Sequence, residues 1–365
     1  MSQRLIAAVI AIPAVIALFV YAWTSPLPYA YYQPGTTIDV LGTDGADAEV
    51  IQVDGATTYP DDGQLRMTTV QVSPAAVKGE KGGESLVDLI STWANPDNAV
   101  YPYDVVHPDG ETLESNREEG QLQMATSQDA AVEVALSEMG IDVPQVLAIT
   151  ALTPGKPAEK VLEVDDVIRT VAGTKVDDAG QLVKLISDSP AGRPLTVGIT
   201  RDGKDLDVSV VPVTEGGRSL IGITPEVAEY KFPFDVKINI NPNIGGPSAG
   251  LIFSLAVYDT LTEGSLTGGH EIAGTGEIAP DGTVGPIGGI QQKIAGARDD
   301  GAELFLVPID NCADALGADN GDMRLVMAQT MHDVRQALEK YAADDDPADL
   351  PSCEDAAAIL SGAAS

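Results

Sequence analysis

Positive charge is scarce in this 365-residue sequence, which has 21 lysines and arginines against 55 aspartates and glutamates. The formal net charge at pH 7 is -34. Nucleic acid is therefore excluded as a partner, because binding to a phosphate backbone requires a basic face. The acidic surplus is typical of a solvated surface that keeps a protein soluble.

Histidine is also scarce. The three histidines, His107, His270 and His332, are widely separated in the sequence. This distribution favours neither a zinc-type ligand cluster nor a catalytic triad built on histidine. A phosphate loop of the pattern G-x-x-x-x-G-K-[ST] is missing from these residues as well, so they contain no ATPase motor of that kind.

A long apolar run is present at the N-terminus. Leu5 to Trp23 is a stretch of 19 residues without a charge, and Arg4 precedes it. Its length suits a membrane-spanning helix, which tolerates the internal Pro13. We therefore predict a transmembrane helix over residues 5–25, single-pass in the cell membrane, with the rest of the chain outside the cytoplasm. A cleaved signal peptide is the alternative.

The two cysteines, Cys312 and Cys353, lie in the C-terminal part and lack C-x-x-C spacing. Outside the cytoplasm we expect them to form a disulfide that ties the C-terminal tail to the preceding domain. Two unpaired thiols are the alternative.

Residues 143–214 form a compact unit in which short strand-like segments alternate with turns. Three motifs follow one another in it: P-G-K-P-A at Pro154–Ala158, D-D-V-I at Asp165–Ile168, and R-D-G at Arg201–Gly203. In this order they resemble a PDZ domain, and the resemblance implies a β-rich domain that binds a peptide as an added strand. Asp165 stands where related domains usually have glycine, and no G-L-G-F-type carboxylate loop is evident. A structural role without a bound peptide is the alternative.

A serine lies at a turn between a strand-like segment, Asp235–Asn241, and a helical one that starts near Leu251. The turn contains Gly246, Pro247, Ser248, Ala249 and Gly250. The two glycines permit close approach of the backbone to a substrate, and amides at the helix start would hold the oxyanion formed when Ser248 attacks a carbonyl. Taken alone, such a turn is weak evidence for a nucleophile, because many turns of this kind are only helix caps.

Lys293 is the candidate base for this serine and follows it by 45 residues. A Ser–Lys pair is a recognised variant of serine catalysis. Lysine serves as a base only if its pKa falls far below ~10.4, which burial among apolar neighbours achieves. Ile290, Ile294 and Ala297 have the helical spacing to supply such neighbours. A solvated surface lysine is the alternative.

The surrounding motifs resemble the proteolytic domain of the Lon protease family. P-S-A-G occurs at Pro247–Gly250, T-G-E-I at Thr275–Ile278, and P-I-G-G-I-x-x-K at Pro286–Lys293. The resemblance implies that the serine of the first motif is the nucleophile, that the lysine of the third is its base, and that Thr275 forms a hydrogen bond near them. Gly245 is a departure, because many Lon proteases have aspartate there.

The resemblance also implies an α+β fold of the Lon proteolytic-domain type, similar to domain 2 of ribosomal protein S5. We assign it to residues 219–341, followed by a C-terminal tail, 342–365. Within the N-terminal region, 33–142, a strand at Gln64–Val72 and M-x-x-S-x-x-A at Met124–Ala130 resemble the first pieces of such domains. The PDZ-like unit is then either inserted in the protease fold or arranged in tandem with it.

Together these features predict an ATP-independent, membrane-anchored serine endopeptidase, like the membrane-anchored Lon-like PDZ proteases of Gram-positive bacteria. Its substrates would be unfolded or flexible polypeptides, and the PDZ-like unit would select them or regulate cleavage. No metal or organic cofactor is implied, and the family resemblance suggests a hexameric homo-oligomer. The alternatives are an anchored peptide-binding scaffold with an inert protease-like domain, and a protein that cleaves only its own chain or one partner.

Overall fold

The computed structural model describes residues 3–43, 48–76, 82–108, 110–344 and 346–362. The chain forms two compact units. The first is built from residues 1–139 and 236–365, and the second from residues 140–235. The second unit therefore lies between two parts of the first along the chain, which is the inserted arrangement of the two alternatives.

The helices and strands are numbered along the whole chain. The helices are α1 (Gln3–Thr24), α2 (Leu86–Trp93), α3 (Tyr103–Val106), α4 (Leu113–Glu138), α5 (Ala179–Ser187), α6 (Gly250–Leu261), α7 (Ile290–Asp299), α8 (Cys312–Ala315), α9 (Met331–Asp344) and α10 (Cys353–Gly362). The strands are β1 (Tyr29–Asp39), β2 (Ile51–Asp54), β3 (Gln64–Val72), β4 (Ala99–Pro102), β5 (Gln145–Leu152), β6 (Val167–Val171), β7 (Thr174–Lys175), β8 (Leu195–Arg201), β9 (Lys204–Val210), β10 (Val213–Glu215), β11 (Arg218–Leu220), β12 (Ile223–Tyr230), β13 (Asp235–Ile238), β14 (Glu271–Gly274), β15 (Glu277–Ile278), β16 (Val284–Gly285), β17 (Leu304–Pro308) and β18 (Arg324–Ala328).

A six-stranded sheet in the order β18-β17-β14-β3-β1-β4 forms the framework of the first unit. The strands from β18 to β3 are parallel to one another, whereas β1 is antiparallel to both β3 and β4. Three of these strands precede the second unit in the chain and three follow it. Both parts of the chain are therefore needed to complete this sheet.

Two helices next to the sheet determine where the serine turn lies. Helix α6 is buried on all sides over Leu251–Val257, as expected for a helix that is apolar all round. Helix α4 starts at Leu113, because Thr112 and Ser115 form a reciprocal pair of capping hydrogen bonds before its first turn. The polar first half of α4 carries no apolar periodicity, so the sequence pattern did not reveal it.

Helix α1 corresponds to the N-terminal apolar run. The side chains of Val9, Ile16 and Phe19 are exposed. Within the part of the chain that the structure describes, no helix has both the length and the apolar character required to cross a membrane. The predicted transmembrane helix at residues 5–25 is therefore not supported.

The second unit is a six-stranded sheet in the order β12-β5-β6-β8-β9, with β7 paired to β6. Its core includes Ile149, Ile168 and Leu182. Asp165 has a φ of 70°, in the left-handed region that glycine adopts most readily and that aspartate tolerates better than most residues. This explains how Asp165 replaces the glycine that is usual at this place in PDZ domains.

The second unit extends beyond the predicted end at residue 214. Strand β12 is antiparallel to β5, from Ile223 opposite Leu152 to Tyr230 opposite Gln145. Residues 219–235, which we assigned to the protease domain from the sequence, therefore belong to the second unit. The pairing joins segments that are distant in the chain, and local strand patterning does not reveal such a partner.

The C-terminal residues pack onto the first unit. Cys353, at the start of α10, forms a disulfide with Cys312 of α8, and both side chains are buried. Met327 of the edge strand β18 donates its N–H to the carbonyl of Pro351 at 2.9 Å. The predicted tail, 342–365, thus contributes to this unit through buried residues that reach Ala356.

Candidate active site

Ser248 lies between β13 and α6, immediately before Ala249, the N-cap residue of that helix. Its side chain is half-buried. Its carbonyl accepts two hydrogen bonds at 2.8 Å, one from the N–H of Gly276 and one from the hydroxyl of Thr275. The T-G-E-I segment therefore fixes the backbone of the serine directly.

Three glycines allow this turn to form. Gly246 has a φ of +95°, which favours glycine. A Cβ at Gly250 would lie 2.9 Å from the backbone nitrogen of Ile278. At Gly245 a Cβ would lie 2.9 Å from the carbonyl carbon of Gly120 in α4. The close approach of α4 thus leaves no room for the aspartate that the Lon resemblance leads one to expect at residue 245.

The side chain of Lys293 points from α7 into the interior of the first unit and is 2% exposed. Ile290, Ile294 and Ala297 are buried on the same helix. Burial disfavours the charged form of an amine. It lowers the pKa of Lys293 from 10.5 to about 7, so a large fraction of this lysine is neutral near neutral pH.

Ser248, Lys293 and Thr275 meet in a triangle of hydrogen bonds. The Nζ of Lys293 donates to the Oγ of Ser248 at 2.7 Å and to the Oγ1 of Thr275 at 2.8 Å. Thr275 is fully buried, and its hydroxyl donates its hydrogen to the carbonyl of Ser248. Its oxygen is therefore oriented toward the amine, and the amine is held against the serine hydroxyl.

The amides available to an oxyanion differ from those that we predicted at the start of α6. Gly250 donates its N–H to the carbonyl of Pro247 at 3.3 Å, and Leu251 donates to Gly276 at 3.1 Å. Among the described residues, by contrast, no acceptor takes the N–H of Ser248 or of Ala249. These two successive amides, of the serine itself and of the residue after it, are therefore available to an oxyanion.

A cavity of about 420 Å³ opens beside the Ser248–Lys293 pair. Its wall includes apolar side chains from several elements of the first unit, namely Met67, Val70, Met124, Ile244, Pro247 and Ile287. Thr69 and Gln71 of β3 also line it. The cavity can therefore hold an apolar side chain and a length of extended backbone next to the serine.

Ser127 of α4 is a contributor that sequence reasoning left without a role. Its hydroxyl donates to the carbonyl of Pro247 at 3.0 Å, so α4 holds the residue immediately before Ser248. Ser127 is the serine of the M-x-x-S-x-x-A motif at Met124–Ala130. That motif was the available signal, but it does not reveal which backbone atom the hydroxyl contacts.

The second unit carries a separate groove of about 550 Å³. Most of its lining comes from α5 and from the segment after β10, and it includes Leu182, Val183, Ile186, Arg218, Ile221 and Ile223. Ile221 and Gly222 have N–H groups without an acceptor in the described part of the chain. The sequence R-S-L-I-G-I at Arg218–Ile223 is the signal that we missed, because it lies beyond the predicted end of the unit.

Two family models match the chain. The Lon protease (S16) C-terminal proteolytic domain matches residues 240–340, and the PDZ domain matches residues 112–211. The first match includes the whole of the Ser248–Lys293–Thr275 triangle. The second starts at Thr112, the N-cap residue of α4, whereas the compact second unit begins at Gly140.

Several similar curated proteins are Lon proteases. The Lon protease of Campylobacter concisus is 28% identical over 175 residues, which cover 46% of this chain and 21% of that protein. The Lon protease of Desulforamulus reducens is 32% identical over 167 residues, which cover 42% of this chain and 19% of that protein. The matched region thus amounts to about a fifth of the length of these two relatives.

Among solved structures, the PDZ domain of the SdrC-like protein from Listeria monocytogenes matches with 18% identity and a TM-score of 0.21. It covers 22% of this chain and 85% of the matched domain. The family matches confirm the resemblances drawn from the motifs: this chain carries a Lon protease (S16) C-terminal proteolytic domain together with a PDZ domain.

Proposed function

We propose that this protein is a serine endopeptidase in which Ser248 is the nucleophile and Lys293 its general base. The observation that carries the proposal is the 2.7 Å contact between Lys293 Nζ and Ser248 Oγ, inside a site that lowers the pKa of the lysine to about 7. A base with a pKa near the working pH combines the correct protonation state with a useful affinity for the proton.

In this mechanism the neutral amine of Lys293 takes the proton of the Ser248 hydroxyl as its oxygen attacks the peptide carbonyl. The N–H groups of Ser248 and Ala249 donate to the oxyanion, and the hydroxyl of Thr275 keeps the amine in place. The protonated lysine then gives the proton to the leaving amine. Water attacks the acyl-enzyme with Lys293 again as base, and Ser248 is regenerated.

A substrate strand is expected to lie along β3. The pairing of β3 with β14 ends at Met67 opposite Gly274, whereas its pairing with β1 continues to Val72. On the β14 side, the residues after Met67 face the cavity beside Ser248. An extended polypeptide can add its backbone to such an edge, and a folded domain cannot. The proposed substrates are therefore unfolded or flexible polypeptides.

We expect hydrolysis to proceed without nucleotide, because the sequence lacks a phosphate loop. The test is to incubate the purified protein with unfolded casein, with and without ATP and Mg²⁺, and to count new amino termini at pH values from 6 to 10. We expect the same rate of hydrolysis with and without ATP and Mg²⁺. Dependence on ATP would contradict ATP-independent action, and no hydrolysis at any pH would favour the inert peptide-binding scaffold.

A second function is proposed for the groove of the PDZ domain, which is capture of a peptide by its apolar C-terminal residue. The amides of Ile221 and Gly222, which have no acceptor among the described residues, suit a carboxylate, and the apolar residues of α5 suit the last side chain. This binding would select substrates or regulate cleavage.

The groove proposal predicts that Val183→Glu weakens binding of such a peptide at least about 10-fold, since a carboxylate replaces an apolar contact in the groove. Val164→Glu is the matched control, because Val164 is similarly exposed and does not line the groove. Fluorescence anisotropy with a labelled peptide provides the measurement. Equal binding by both variants, or by a C-terminally amidated peptide, would exclude capture of a C-terminus.

We also propose that the chain lies outside the cytoplasm. Its support is the buried Cys312–Cys353 disulfide, since structural disulfides persist in oxidising compartments.

A further inference from the structure

The side chain of Asn311 forms two hydrogen bonds with the backbone of Ile287. Its Oδ1 accepts from the N–H of Ile287 at 2.8 Å, and its Nδ2 donates to the carbonyl of the same residue at 3.0 Å. Asn311 is 7% exposed, so water has little access to either bond. One amide thus satisfies both polar backbone groups of a single residue and fixes the backbone at that point.

Ile287 belongs to the turn Pro286–Gly289, which leads into α7. Ile287 and Gly288 line the cavity beside the serine. Gly289 caps α7 with a φ of 70°, and its carbonyl accepts the N–H of Lys293 at 3.0 Å. A shift of this turn would therefore move both a wall of the cavity and the first turn of the helix that carries Lys293.

The segment that contains Asn311 is itself fixed in place, so it can hold this turn. It follows β17 directly, and the next residue, Cys312, is joined by the disulfide to Cys353. A third hydrogen bond runs to the same region, because the Nε2 of Gln291 donates to the carbonyl of Asp314 at 3.1 Å. The start of α7 is thus held from one side by a buried and cross-linked segment.

We propose that Asn311 is a positioning residue for the Ser248–Lys293 pair, because it fixes the turn Pro286–Gly289 and thereby keeps Lys293 Nζ against Ser248 Oγ and away from water. The inference rests on the proposed peptidase function and goes beyond it. Asn311 has no contact with either reacting group and lies outside the three motifs that mark the site.

The test compares the wild-type protein with Asn311→Ala, Asn311→Asp and the control Asn320→Ala. Asn320 also donates from its side chain to a backbone carbonyl, that of Met323, away from this turn. With a peptide substrate we expect Asn311→Ala to lower kcat about 10- to 100-fold and to change KM less than about 3-fold, since alignment rather than binding is lost. Aspartate has the same size as asparagine but no N–H to donate to the carbonyl of Ile287. We therefore expect Asn311→Asp to lower kcat by the same factor as Asn311→Ala.

The pH profile separates positioning from a general structural effect. Water that reaches Lys293 Nζ reduces the desolvation that keeps its pKa low, so the midpoint of the pH–rate profile should move to higher pH in both Asn311 variants. The same shift should occur without substrate, in the NMR titration of lysines that carry ¹³C at the ε position. Thermal unfolding measures how much stability each variant loses.

Two results would overturn the inference. One is an Asn311→Ala variant that matches Asn320→Ala in kcat and in the titration of Lys293. The other is a loss of kcat that follows the loss of folded protein, with no shift in that titration. If the wild type itself hydrolyses nothing, the peptidase proposal fails separately, and the titration alone decides whether Asn311 positions the lysine.

Discussion

Ser248→Ala is expected to abolish hydrolysis of unfolded casein, with a loss of roughly 10⁴- to 10⁶-fold in kcat, as is typical when a serine nucleophile is removed. The reason is chemical, because no acyl-enzyme can form without the hydroxyl oxygen. Fold should be retained, since the backbone of Ser248 is held through its carbonyl by Gly276 and Thr275 and not through its hydroxyl.

The matched control for this change is Ser254→Ala. Ser254 lies on α6, the helix that follows Ser248, is completely buried, and donates its hydroxyl to the carbonyl of Leu251 at 2.8 Å. Its replacement should lower the melting temperature slightly and leave kcat/KM within about 3-fold of the wild type. Initial rates of fluorescent casein release give the comparison. Equal rates for wild type and Ser248→Ala would show that another group, or a contaminating protease, cuts the substrate.

Much of the site could be predicted from the sequence because its residues lie in short motifs with fixed local geometry. P-S-A-G implies a serine just before a helix. A lysine four residues after the glycine that caps a helix lies in the first turns of that helix, and the helical period determines the face on which its side chain lies. The long-range contact between Ser248 and Lys293 could be inferred only through the resemblance to Lon proteases. Periodicity alone gives no distance between two helices.

Other parts of the site could not be predicted, since they depend on backbone atoms from distant segments. The N–H of Leu251, at the start of α6, is taken by the carbonyl of Gly276 in the segment between β14 and β15, and the amides without an acceptor among the described residues are instead those of Ser248 and Ala249. Ser127 contacts a carbonyl 120 residues further along the chain. The PDZ groove was missed for a related reason. Strand β12, which follows the groove segment, pairs with β5, and the two strands are separated in the sequence by most of the second unit.

Lys293→Met is the second change with a large expected effect. Methionine has a similar length and no proton acceptor of comparable basicity, so kcat should fall by roughly 10⁴-fold or more, almost as far as in Ser248→Ala. Lys340→Met is the control, because Lys340 is exposed and pairs with Asp349 away from the site. The double variant of Ser248 and Lys293 should be no worse than either single one, since the two groups act as one unit.

The same lysine makes both activity and stability depend on pH, and each dependence can be measured separately. In the wild type kcat/KM should rise as the pH increases through about 7, because only the neutral amine accepts the proton. In the unfolded chain the amine of this lysine is protonated below a pH of about 10.4. In the folded chain it stays mostly neutral down to a pH of about 7. Between these values the unfolded state holds more protons, so the free energy of unfolding should rise with pH across that window.

Comparison of wild type with Lys293→Met isolates this contribution, because all other titrating groups are shared. Below pH 7 the variant should be more stable by several kcal/mol, on the order of 1.4 kcal/mol for each unit of the lowered pKa. The difference should shrink as the pH rises toward 10. Urea unfolding at pH 6, 8 and 10 measures it without any substrate. A difference that stays constant with pH would mean that Lys293 is charged in the folded protein, and such a lysine could not take the proton from Ser248.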